Sequence, residues 1–201
     1  MRKANPTLRQ RQAQATRALI ISTARSLFLE RGYTRTTIEL IAKKAGVSVS
    51  TVYTVFGSKR GILRLIREEW HHQTHIKEFL ATTSAETDPK KLLDGIAQAT
   101  RLQWQMGAQV IAIYRGAAAA DRSAADELAT ALAGRRKNLD EFTAHLAPHL
   151  QPDFDIQQAS AILRALCRVE VYEELVENSG WTGERYQEWL AAALKRELLE
   201  K

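Results

Sequence analysis

Hydroxyl groups and a full positive charge crowd into one short stretch of this 201-residue chain, at Thr37, Ser48, Ser50, Thr51, Tyr53 and Ser58-Lys59. Such groups can donate and accept hydrogen bonds and meet negative charge. No motif that would recruit them into catalysis accompanies them. There is no G-x-S-x-G elbow, no phosphate-cradling G-x-x-x-x-G-K-[ST] loop and no H-E-x-x-H pair, so no enzyme is expected. Histidines offer a second kind of chemistry. His71 and His75 stand one helical turn apart, with Glu68 or Glu78 near enough in sequence to join them. No cysteine or second carboxylate cluster completes that ligand set. His145 and His149 share the spacing but have Pro148 inside the turn. Neither a metal nor a cofactor is expected.

The hydroxyl cluster needs elements to position it, and the local signals supply them. From about Gln12 the residues Ile20, Ala24, Leu27 and Phe28 fall on one helical face, and Gly32 stops that helix, with Tyr33 able to pack back on it. Thr36-Thr37-Ile38-Glu39 opens a short helix as a Thr-x-x-Glu capping box, or with Thr37 as the cap; Ile38, Ile41 and Ala42 form its apolar face. It ends near Ala45-Gly46. Ser48 then caps a second short helix to about Val55. Two short helices joined by a glycine-containing turn of ~3–4 residues form a helix-turn-helix signature. Ser58 caps a longer helix from Lys59 towards Leu80, with Ile62, Leu65 and Ile66 on its buried face. Residues 81–89 read as a linker. Beyond Pro89 helices are expected over about 90–105, 107–119, 123–147, 154–178 and 183–200, and no period-2 strand pattern occurs. The expected architecture is all-α: a three-helix helix-turn-helix head over residues 12–72, then a larger helical body over 73–201.

Charge divides the chain in the same place. Up to Trp70 there are 14 Lys and Arg against 4 Asp and Glu; the remainder holds 15 against 19, for a net charge of +6 overall. A basic head on a mildly acidic body suits a polyanion partner. No apolar run approaches the ~18 residues of a membrane span. Met1-Arg2-Lys3-Ala4-Asn5-Pro6 is not a secretory signal, and the single Cys167 allows no intrachain disulfide. A cytoplasmic protein with no membrane partner is expected.

A helix that enters a major groove presents its N-terminal residues to base edges while the preceding helix crosses the backbone. Val49, Ser50 and Thr51 are small enough for that approach, with hydroxyls for base edges and methyls for thymine methyl groups. Val52 and Phe56 face back into the head, and Tyr53 offers a phenol to phosphate. Thr37 and Ser58-Lys59 mark helix N-termini, where free amides and the dipole favour anions. The same hydroxyls also serve as helix caps.

The run Thr36-Thr37-Ile38 … Ile41-Ala42 … Ala45-Gly46-Val47-Ser48 … Thr51-Val52-Tyr53 … Phe56-Gly57-Ser58-Lys59 … Leu63 resembles the DNA-binding head of the tetracycline-repressor (TetR) family over about residues 12–65. The resemblance implies a transcriptional regulator, by family default a repressor, released from its operator by a small-molecule effector. It places Val49, Ser50 and Thr51 at base-facing positions behind the Ser48 cap, and Thr37, Tyr53 and Lys59 at backbone contacts. Ser50 replaces a common Gly or Pro, and Val55 replaces a His or Tyr, removing a polar group there. The partners implied are double-stranded DNA with a palindromic operator, a second copy of the chain, and the effector. Trp104, Met106, Tyr114 and Arg115 are candidates to line the effector pocket, or else ordinary core. Leu166, Val169, Leu175, Tyr186, Trp189 and Leu190 lie on the broad apolar faces of the last two helices, where the resemblance implies a four-helix dimer interface. The competing function is a helical protein-interaction module with a basic head.

Overall fold

The computed structural model describes residues 7–73, 86–152 and 154–199, and every described element is helical. The His71, His72, His75 and Glu78 side chains lie outside the described residues, as does the linker up to residue 85. Among the described residues, no helix is long and apolar enough to cross a membrane.

The head is built from α1 (Leu8–Arg31), α2 (Ile38–Ala45), α3 (Val49–Phe56) and α4 (Lys59–Gln73). Helix α1 starts earlier than the apolar periodicity indicates, because Thr7 and Gln10 form a capping box that closes its first turn. Its exit is Gly32, at φ 79° and ψ 155°, a region essentially reserved for glycine. Tyr33 then turns back onto Phe28, with ring centroids 5.2 Å apart. The cap of α2 is Thr37, whose hydroxyl accepts from the Leu40 amide. Thr36 is instead fully buried and donates to the carbonyls of Leu27 (3.1 Å) and Gly32 (2.9 Å). A threonine with its hydroxyl committed inside the core is not available as a cap.

At eight residues each, α2 and α3 are too short to hold alone. They persist because Ile38, Ile41, Ala42 and Ala45 on one, and Val52 and Phe56 on the other, are buried, with α2 packed on both α1 and α3. Each large apolar side chain so buried contributes ~1.5–3 kcal/mol.

The compact unit that holds the head also takes in Gln109–Leu128. That segment ends α5 (Pro89–Ala118) and begins α6 (Arg122–Leu146). Asp121 caps α6 by accepting from the Ser123 and Ala124 amides. Tyr114, 1% exposed, donates to Glu127 at 2.9 Å, and Arg67 pairs with the same carboxylate at 3.2 Å.

The second unit holds the rest of α5 and α6 with α7 (Ile156–Leu166), α8 (Val169–Tyr172) and α9 (Gly183–Leu198). Two expected boundaries moved. The break at Gly107 does not exist, and α5 runs through it as one helix of 30 residues. A glycine inside a helix costs only ~1 kcal/mol relative to alanine, and Gly107 sits buried in the packed interior. Conversely, the single helix expected over 154–178 is divided at Cys167-Arg168, and α8 continues as a π-helical turn over Glu173–Asn178. Asp155 caps α7 and Thr182 caps α9, each accepting from a first-turn amide. Helix α9 packs on α7 and on the π turn, around a core that includes Leu163, Cys167, Tyr172, Tyr186, Leu190 and Leu194.

Candidate nucleic-acid interface

Helix α3 is held by one face and displays the other. Val52 and Phe56 are buried, whereas Ser50, Tyr53, Thr54 and Val55 are exposed and Val49 and Thr51 half-exposed. Ser48 caps the helix by accepting from the Thr51 amide at 3.1 Å. Its hydroxyl is also 2.8 Å from the Ser50 hydroxyl and 2.7 Å from that of Thr51. The leading end therefore presents three hydroxyls beside a helix N-terminus, those of Ser50 and Thr51 each bonded to that of Ser48. Such hydroxyls can exchange their internal bonds for bonds to a ligand at little cost. Thr54, not singled out from sequence, lies one turn further along and bonds back to the Ser50 carbonyl at 2.8 Å. Its i+4 spacing from Ser50 was the available signal.

The residues expected at backbone contacts converge. Thr37, Tyr53 and Lys59 line one open depression of about 330 Å³, together with Thr36, Ile38, Glu39 and Ser58. Helix α2 begins at this depression with the Thr37 cap, and Ser58 accepts from the Gly61 amide in the first turn of α4. Two positive helix ends thus border it. Glu39 also borders it. Its carboxyl is held below the ordinary range by its own amide and by the Thr37 hydroxyl.

Lys59 is less free than its position in the sequence suggests. Its ammonium donates to the carbonyls of Tyr33 (2.9 Å) and Thr36 (3.0 Å) and sits 4.3 Å from the Tyr33 ring centroid. Burial lowers its pKa, opposed by the charge of Asp121. Two of its three donors clamp the α1–α2 connection, so Lys59 builds the depression as well as lining it.

The expected effector residues are each committed locally. Trp104 is 2% exposed and donates its indole N–H to the Cys167 carbonyl at 3.0 Å. Tyr114 is bonded to Glu127 in the first unit, Met106 is half-buried in the second, and Arg115 is exposed. Among the expected interface residues, Val169, Tyr186 and Leu190 are 3%, 0% and 0% exposed within the chain itself. Apolar periodicity marks a buried face without saying what buries it, and here these residues of α8 and α9 are buried within the chain itself. Leu166, Leu175 and Trp189 remain half-exposed.

A short helix braced across another and presenting hydroxyls at its leading end defines a helix-turn-helix protein. Comparison with known proteins narrows this. Residues 20–66 match the sequence profile of the bacterial regulatory proteins, tetR family. The HTH-type transcriptional regulator TtgR of Pseudomonas putida is 38% identical over 77 residues; that match covers 38% of this chain and only 35% of TtgR. Two solved structures share the whole fold. NalD, the secondary repressor of the MexAB-OprM multidrug efflux pump in Pseudomonas aeruginosa, is 22% identical with a TM-score of 0.69, covering 94% of this chain and 99% of that one. SmeT in its triclosan complex is 20% identical with a TM-score of 0.71, covering 92% of each. Residues 20–66 thus carry the tetR-family head sequence, and the chain as a whole shares the fold of these two solved structures.

Proposed function

We propose that the chain binds duplex DNA sequence-specifically as a homodimer and regulates transcription, as a repressor released by a small-molecule effector. The observation that carries this reading is the exposed face of α3. Small hydroxylated residues lead into a groove, and Thr37, Tyr53, Ser58 and Lys59 gather beside them around two helix N-termini. In the bound state Val49, Ser50 and Thr51 read base edges, while Thr37, Tyr53 and the remaining donor of Lys59 hold phosphates. Residues 12–72 bind DNA; residues 73–201 dimerise and bind the effector.

A dimer suits a palindromic operator because two recognition helices can meet successive major-groove faces ~34–36 Å apart. Leu166, Leu175 and Trp189 supply its apolar contacts. The names of TtgR and NalD as regulator and repressor, and the triclosan held by SmeT, support regulation with a small-molecule effector.

Selection of bound sequences from random duplexes tests the proposal. Ser50→Ala and Thr51→Ala should each weaken the selected duplex by ~1–3 kcal/mol and leave random duplex nearly unchanged. Equal losses on both DNAs would remove α3 as the reading element. Failure to enrich any duplex would favour the protein-interaction module.

A further inference from the structure

Within the second unit, Arg135 on α6 is surrounded by neutral groups. One amino group donates to the Cys167 carbonyl at 2.9 Å and reaches the Thr100 hydroxyl at 3.4 Å; the other donates to the Gln103 side chain. The guanidinium lies 4.5 Å from the Trp104 ring centroid. Thr100, Gln103, Trp104 and Cys167 are all buried. Among the described residues no carboxylate pairs with Arg135, although Arg64, Arg67, Arg101, Arg164, Arg168 and Arg196 each have one.

What offsets this charge is small. Cys167 is the C-cap of α7, and a helix C-terminus supplies ~0.5 of a negative charge. Burial pushes the guanidinium down from its ordinary value, but arginine does not give up its proton. A surplus of positive charge therefore stays at a half-buried position, among buried neutral neighbours.

A second, independent feature lies beside it. Tyr186 is 0% exposed and its hydroxyl has no hydrogen-bond partner. A buried, unbonded hydroxyl costs ~1–3 kcal/mol, a cost normally avoided. The Tyr186 and Arg135 groups perturb each other electrostatically, so they share one neighbourhood. The walls there are aromatic: Tyr172 meets Tyr186 edge-on at 5.1 Å, and Trp104 covers the guanidinium.

A half-buried cation without a counter-ion, beside a buried donor without an acceptor, is a receptor for one negative charge. The balance selects the ligand class. One guanidinium neutralises a monoanion, whereas a phosphate monoester would leave a surplus negative charge in the same apolar surroundings. A carboxylate also matches the planar donor edge of arginine. We propose that Arg135 and the Tyr186 hydroxyl form the polar end of the effector site and that the effector is a small lipophilic carboxylic acid bound as its anion. This rests on the reading of the body as effector-binding. Arg135 and Tyr186 hold the carboxylate, and Trp104 and Tyr172 meet the apolar remainder.

Calorimetric titration of the full chain with acetate, benzoate and octanoate, each beside its neutral amide, tests this. At least one acid should bind tenfold or more tightly than its amide. Arg135→Met should abolish that preference, and Tyr186→Phe should weaken the acid at least threefold while leaving the melting temperature unchanged or raised. Should Arg135→Met fail to fold, the Tyr186→Phe titration and the acid–amide comparison decide. No acid preferred over its amide, or a folded Tyr186→Phe chain binding acid as wild type does, would overturn the site. Release of a selected duplex is read separately. Acid binding without release would leave the anion site standing and count against the effector reading. Release by the amides and not by the acids would do the reverse.

Discussion

Replacing Lys59 with methionine separates the clamp that its ammonium forms from the phosphate contact proposed for it. The substitution keeps the aliphatic stem and removes the donors to the Tyr33 and Thr36 carbonyls, 2.9 and 3.0 Å away, together with the charge over the Tyr33 ring. Hydrogen bonds to a charged group are worth ~1.5–3 kcal/mol each. Lys59 is half-exposed, so water recovers much of that in the variant, and the lower end applies to the pair. The ring contact adds ~0.5 kcal/mol. The lowered pKa shows that desolvation takes part of the gain back. A net loss of ~2 kcal/mol follows, or ~4–8 °C in Tm for a chain of this size. That is small against the ~5–15 kcal/mol of a typical fold, so the variant stays folded and its DNA binding can be measured. There the loss of one phosphate contact should flatten the log–log salt dependence by ~1 and weaken selected and random duplex alike. Calorimetric melting and binding at several salt concentrations read the two effects independently. A flattened slope with unchanged melting would refute the clamp; lowered melting with an unchanged slope would refute the phosphate contact.

Other expectations test separate parts of the molecule. A Cβ on Gly61 would lie 1.9 Å from the Phe56 carbonyl oxygen, so Gly61→Ala must shift α3 against α4, and denaturant unfolding should show a loss of ~1–3 kcal/mol. Tyr33, Tyr114, Tyr172 and Tyr186 all have pKa values raised above 10.0 by burial. The folded chain keeps those protons while the unfolded chain releases them, so this stability is complete below about pH 10 and declines above it. Lys59, shifted the other way, opposes this with one group against four. Urea midpoints at about pH 8 and about pH 11 should therefore differ, and equal midpoints would contradict the burial argument. In the proposed dimer, Leu175→Arg should raise the dimer dissociation constant tenfold or more (~1.4 kcal/mol) in sedimentation experiments. A wild-type chain monomeric at micromolar concentration would exclude that interface.

The head was legible in the sequence because its signals are local. Thr37, Gly46, Ser48 and Gly57 act on the turns they sit in, through caps and positive φ angles. The i, i+3, i+4 pattern alone shows that Val52 and Phe56 face inward while Ser50 and Tyr53 face out. The charge division needed no structure either. Tertiary structure decided whatever depends on which surfaces meet. Thr36 and Thr37 are chemically alike, and only the packing of α1 against α2 buries one and leaves the other to cap. Gly107 reads as a break, yet α5 continues through it. Val169, Tyr186 and Leu190 are apolar at helical spacing, as an interface requires, but α7, α8 and α9 consume them internally. Arg135 and Tyr186 lie far apart in the sequence, on α6 and α9, and nothing in either neighbourhood marks them as a pair. Periodicity states that a face is buried; the partner, and the polar atoms left without one, emerge only when distant segments come together.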